Sequence, residues 1–170
     1  MKQNLIFIGF MGAGKTSVGR AVAEKLGWPL LDTDQMIEKA AGMTISQIFA
    51  EQGEQAFRET ETAVLRQLLQ ETGQAVISVG GGLPLREENR QLLEKLGKVV
   101  FLRAKPETVL KRLQGDTTRP LLSGDHVKER VQELLSYRDP IYRAAAHLVV
   151  DVDGKEVSRI AEEIIREAEL

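Results

Sequence analysis

The sequence predicts an α/β protein of three layers, a five-stranded parallel sheet with helices on both faces. Two observations carry this expectation. Apolar, β-prone runs at about 4–9, 29–32, 75–79, 98–103 and 147–151 alternate with stretches of helical periodicity, the pattern of strands joined by helical crossovers. The first run, Leu5-Ile6-Phe7-Ile8, leads directly into Gly9-Phe10-Met11-Gly12-Ala13-Gly14-Lys15-Thr16, which fits G-x-x-x-x-G-K-[ST].

The segment after this loop supports the motif. Val18, Ala21, Val22, Ala23 and Leu26 recur at helical spacing until Gly27 and Pro29 interrupt them. A strand, a glycine-rich turn and a helix opening near Lys15 wrap a polyphosphate in backbone N–H groups and aim the helix's positive end at it. Gly12, Ala13, Gly14, Lys15, Thr16 and Ser17 are therefore the candidate nucleotide-binding residues, with the Thr16 hydroxyl available to Mg²⁺.

The second strand ends in Asp32-Thr33-Asp34. Neither the third strand, ending Ser78-Val79-Gly80, nor the fourth, ending Leu102-Arg103, supplies an acidic group, so the metal-positioning carboxylate is sought here. Two carboxylates two residues apart leave an extended segment on one side, one toward the metal's water shell and one toward an acceptor alcohol. Both also read as caps of the next helix. An insertion of about 33–61 then interrupts the strand-helix rhythm. Gly42, the capping-box pattern Thr44-Ile45-Ser46-Gln47 and Gly53 divide it into short helices with room for an acceptor. At its end Phe57, Val64, Leu65 and Leu68 form the apolar stripe, and Glu54, Arg58 and Glu61 share another face. Arg58 reads equally as half of a solvated Glu54–Arg58 pair or as a carboxylate fork held by Glu61.

Gly80-Gly81-Gly82 comes after the third strand, where residues without side chains admit a substrate against the backbone or simply loosen a loop. Arg112, after Lys111, precedes the stretch from Gly115 to Gly124, which carries Arg119 and is a candidate lid of about 112–124. Arg138, before Asp139-Pro140, is expected at a helix end, where it would complement terminal carbonyls. Val157, Ile160, Ala161, Ile164 and Ile165 mark a last helix docked on the sheet.

Composition narrows the function classes. A chain of 170 residues fits one domain, 1–170, with a buried core. A formal charge of -2 argues against a general nucleic-acid or membrane-surface binder. Zero cysteines exclude disulfides, thiolate metal sites and cysteine nucleophiles, in keeping with a cytoplasmic protein. The apolar run at 4–8 is far shorter than a membrane span.

Taken together, the chain resembles the shikimate kinases. The motifs that carry the resemblance are GxxGxGKT at Gly9 to Thr16, DTD at 32–34, FRxxE at Phe57 to Glu61, GGG at 80–82, RPLL at Arg119 to Leu122, and YRxPxY at Tyr137 to Tyr142. The resemblance implies a P-loop fold like that of the nucleoside-monophosphate kinases and transfer of the ATP γ-phosphoryl group to the 3-hydroxyl of shikimate, in aromatic amino-acid biosynthesis. By the same resemblance Asp34 contacts the acceptor hydroxyls and takes the proton, with Arg58, Glu61, Arg138 and the backbone at Gly80, Gly81 and Gly82 around shikimate. Lys15 meets the β/γ-phosphates, Thr16 and Asp32 hold Mg²⁺, Arg119 neutralises developing charge from the lid, and Arg112 stacks on adenine. The partners implied are ATP and shikimate, without nucleic acid or membrane, and the expected state is a monomer.

Overall fold

The computed structural model describes residues 3–71, 73–113 and 126–170. Its sheet has five parallel strands: β1 (Asn4–Ile8), β2 (Leu30–Asp32), β3 (Val76–Ser78), β4 (Gly97–Arg103) and β5 (Leu148–Asp151). They stand side by side in the order β2-β3-β1-β4-β5. All five residues of β1 are buried. Its pleat sends Leu5 and Phe7 into one core and Ile6 and Ile8 into another, so the central strand reads as an unbroken apolar run.

On the first face lie α1 (Lys15–Leu26) and α8 (Val157–Glu167), which contribute Val18, Val22, Ile160 and Ile164. The helix α6 (Pro106–Leu113) joins the same core through Val109. On the other face α4 (Glu54–Glu71), α5 (Glu87–Leu96) and α7 (Val127–Ala145) place Leu65, Leu68, Leu93, Leu96 and Tyr142 against Ile77, Val99 and Phe101. The insertion consists of α2 (Thr33–Ala41), α3 (Ile45–Gln52) and the start of α4. The expected capping box at Thr44 is formed, with Gln47 N–H donating to the Thr44 hydroxyl and Thr44 N–H to the Gln47 side chain.

The topology places the site. The chain leaves β1 through α1 on one face and leaves β3 through α5 on the other, so the loops after these adjacent strands part and open a crevice at their carboxyl ends. Phe7 pairs in register with Ser78, which sets the P-loop beside Gly80-Gly81-Gly82.

One element differs from expectation. Arg138 does not stand at a helix end before Pro140, because α7 continues through the proline to Ala145 and puts Arg138 in mid-helix. Loss of the proline N–H frees the carbonyl of Ser136, which lies on the solvent side. Ties on both sides of the proline hold the helix: Asp139 accepts from Arg103 (3.0 Å) and from Arg143 (2.8 Å), and the Tyr142 hydroxyl is anchored on Gly81. Burial works against the Asp139 charge, but the bonds from Arg143 and Arg103 keep its pKa below the usual carboxylate value.

Candidate active site

The P-loop joins β1 to α1. Gly14 stands at the cap of α1 with φ 92°, a left-handed conformation that glycine adopts without strain. The Lys15 ammonium spans the loop's own mouth, donating to the carbonyls of Gly9 (2.6 Å) and Phe10 (3.2 Å). Ala13 is buried, its N–H bonded to Phe10 O, whereas Thr16 and Ser17 are exposed in the first turn of the helix. Arg112 lies against the outer side of the loop, donating to Gly12 O at 3.3 Å.

Beside the loop, the Thr16 hydroxyl and the Asp32 carboxylate approach to 3.5 Å. Two hard oxygens converging at the end of a P-loop suit Mg²⁺, which keeps several waters and takes few protein ligands. The other Asp32 oxygen accepts the Gln35 N–H, so this residue also caps α2, and the two roles coexist.

From Thr16 and Asp32 a cavity of about 770 Å³ extends between the sheet and the insertion. Its lining brings together Asp34, Arg58, Glu61, Gly80, Gly81, Gly82 and Arg138, every acceptor-site residue expected from the sequence. A Cβ on Gly80 would stand 2.8 Å from Asp34 Oδ1, and one on Gly82 would stand 2.5 Å from the Arg58 guanidinium. These glycines are required by close approach rather than by backbone angle.

Arg58 donates to Glu61 Oε1 at 2.8 Å and lies over the Phe57 ring at 5.2 Å. Glu61 is fully buried and its Oε2 has no hydrogen-bond partner. Burial pushes its pKa up to about 7, against the pull of Arg58 and with help from the nearby Asp34 charge. On the opposite wall Arg138 is only 4% exposed, lies 5.3 Å over the Phe10 ring, and leaves Nε and Nη1 without partners. Arg138 lines the same cavity, and a buried guanidinium that keeps unpartnered nitrogens is chemically suited to an anion.

A family model described as shikimate kinase matches residues 11–169. The chain belongs to the shikimate kinase family. Relatives in this family include the shikimate kinase of Moorella thermoacetica, 46% identical over 96% of this chain and 93% of that protein. Another, from Thermodesulfovibrio yellowstonii, is 44% identical over 98% and 95%. Among solved structures, shikimate kinase from Acinetobacter baumannii in complex with shikimate aligns with a TM-score of 0.95 and 38% identity, covering 99% of this chain and 94% of that one. The expected P-loop fold of the nucleoside-monophosphate-kinase type is the fold found.

Within this shikimate kinase framework some expectations change. Arg138 does not serve helix-end carbonyls; it reaches the cavity from the middle of α7. Glu61 does more than sit on a face with Arg58, since it is sealed from solvent. Arg119 and all of the expected lid beyond Leu113 lie outside the described residues. Asp153 accepts from Lys105 N–H (3.0 Å) and the Thr108 hydroxyl (2.6 Å) and so tethers the start of α6. Tyr142 is counted in the YRxPxY motif but given no role from the sequence; in the structure its hydroxyl donates to Gly81 O at 2.5 Å.

Proposed function

We propose that this chain transfers the ATP γ-phosphoryl group to the 3-hydroxyl of shikimate, giving shikimate 3-phosphate and ADP. The observation that carries this reading is the cavity itself, which runs from Thr16 and Asp32 at the P-loop to a carboxylate, Asp34, and two separate guanidinium groups. An acceptor bearing an alcohol at one end and a carboxylate at the other matches that order of charges.

Phosphoryl transfer needs alignment and charge neutralisation more than covalent help from the protein. Arg58 and Arg138 clamp the acceptor carboxylate from two walls and orient the ring. Asp34 orients the 3-hydroxyl and accepts its proton as the oxygen bonds to the γ-phosphorus and the bond to the bridging β-γ oxygen breaks. Lys15 exchanges its carbonyl partners for the β/γ-phosphate oxygens. Thr16 directly, and Asp32 through water, would hold Mg²⁺, which neutralises polyphosphate charge when bound. Arg112 is assigned to the adenine side and Arg119 to the transferring group, with 33–61 as the acceptor-binding insertion and about 112–124 as the lid.

We further propose that the chain acts as a cytosolic monomer, without nucleic acid or membrane partners. Among the described residues no helix is long and apolar enough to cross a membrane.

ADP release measured with Mg-ATP and, in parallel, shikimate, gluconate, AMP or no acceptor tests the reading, with Lys15→Ala as control. Shikimate-dependent turnover that the control loses is the expected result. Turnover with another acceptor instead would leave the nucleotide half standing and overturn the roles of Arg58, Arg138 and the glycines.

A further inference from the structure

Tyr142 does not line the cavity, but it lies directly behind two residues that do. It is fully buried in the last turn of α7, one turn beyond Arg138, and its ring packs at a tilt against Phe101, centroids 5.0 Å apart. Its hydroxyl donates to Gly81 O at 2.5 Å, and the Arg138 charge lies close enough to act on the same phenol. Arg138 Nη1 is in turn 3.5 Å from the position a Gly81 Cβ would take. One buried hydroxyl thus holds a backbone peptide of the acceptor pocket and stands near its guanidinium.

The planarity of the peptide bond gives this contact a direction. In a trans peptide the carbonyl and the next N–H point opposite ways, so drawing Gly81 C=O back onto Tyr142 turns Gly82 N–H away from Tyr142 and toward the cavity. Gly81 and Gly82 have no side chains to fix that orientation, and a glycine peptide flips readily when nothing holds it. A carbonyl turned into the cavity would meet an incoming carboxylate with its negative end. The phenol also stands near a guanidinium that has two unpartnered nitrogens in a buried wall.

We propose that Tyr142 is a positioning residue for the acceptor's carboxylate, fixing the Gly81–Gly82 peptide with its N–H toward the cavity and bracing Arg138. This rests on the acceptor reading given under the proposed function. The phenol takes no part in the chemistry and keeps its proton throughout, since burial raises its pKa above the usual tyrosine value.

The test is Tyr142→Phe, which keeps the ring and its packing on Phe101 and removes only the hydroxyl. Steady-state kinetics are measured with shikimate and with its uncharged methyl ester. The shikimate KM is expected to rise about five- to tenfold, in line with one lost hydrogen bond, while kcat and the ATP KM stay within about twofold. With the methyl ester the variant and wild type are expected to agree. An unshifted shikimate KM, or an equal rise with the ester, overturns the assigned role. Absence of shikimate turnover in the wild type overturns the acceptor reading and this role with it. Should Tyr142→Phe fail to fold, Tyr142→Met, flexible enough to fill the same space, carries the same expectation.

Discussion

Arg58 and Glu61 meet one helical turn apart on α4, Nη1 to Oε1 at 2.8 Å, with Glu61 sealed from solvent and its other oxygen unpartnered. The guanidinium is thereby held by a carboxyl that burial keeps near the edge of ionisation. Asp34 from α2, Arg58 from α4 itself and Arg86 after the GGG turn are the charges that face it.

The first prediction rests on that pKa. Raised from 4.5 to about 7, Glu61 binds more protons folded than unfolded across that interval. Its stabilising contribution is present below the window and is lost as pH rises through it. Glu61→Gln, which keeps a neutral acceptor for Arg58, should therefore gain stability relative to wild type between pH 5 and 8, by up to about 3 kcal/mol. Urea unfolding of both proteins at the two pH values measures the difference; parallel changes would remove Glu61 as a titrating group.

Arg58→Lys is expected to raise the shikimate KM roughly tenfold or more, because an ammonium cannot reproduce a fork that holds Glu61 and an acceptor carboxylate together. The ATP KM should not move. Initial-rate kinetics with each substrate varied in turn separate the two, and an unchanged shikimate KM would take Arg58 out of the carboxylate site.

Asp34→Asn keeps the shape of the side chain and loses its charge. Its kcat is expected to fall about a hundredfold, the lower range for removal of a positioned base, with the shikimate KM within a few-fold of wild type. The pH–rate profile should lose its acidic limb. A variant that kept the limb would show that another group takes the proton.

Gly80→Ala puts a methyl group 2.8 Å from Asp34 Oδ1 and 3.1 Å from Glu61 Oε2. The carboxylate must move, and displacement of a catalytic group by about 1 Å costs on the order of a hundredfold in rate. Thermal unfolding and kcat/KM measured together should show a large catalytic loss with a melting temperature lowered by only a few degrees. Wild-type kcat/KM would mean that Asp34 tolerates the shift.

Much of this is legible in the chain because it is local. The P-loop, the five strand runs, the capping box at Thr44 and the last helix are each written within a few neighbouring residues, where strand or helix periodicity and glycine placement suffice. Asp34 and Arg58 are legible as candidates for the same reason, by residue type beside a recognisable motif. Glu61 is placed on the right face by its spacing, but its burial depends on what α2 and the GGG turn lay over it. Arg138 reads as a helix-end residue because Pro140 is a local stop signal, and the bonds that carry α7 past it come from Arg103, Arg143 and Gly81.

By itself, then, the sequence determined the layered parallel fold, a phosphate-binding loop and the family to which the chain belongs, since each rests on short-range pattern and motif. The tertiary structure alone decided the strand order that parts the loops after β1 and β3, the proton affinity of Glu61, and the contact between Tyr142 and Gly81, 61 residues apart. These depend on which distant surfaces exclude water from one another. That is a property of packing, and no window of the chain contains it.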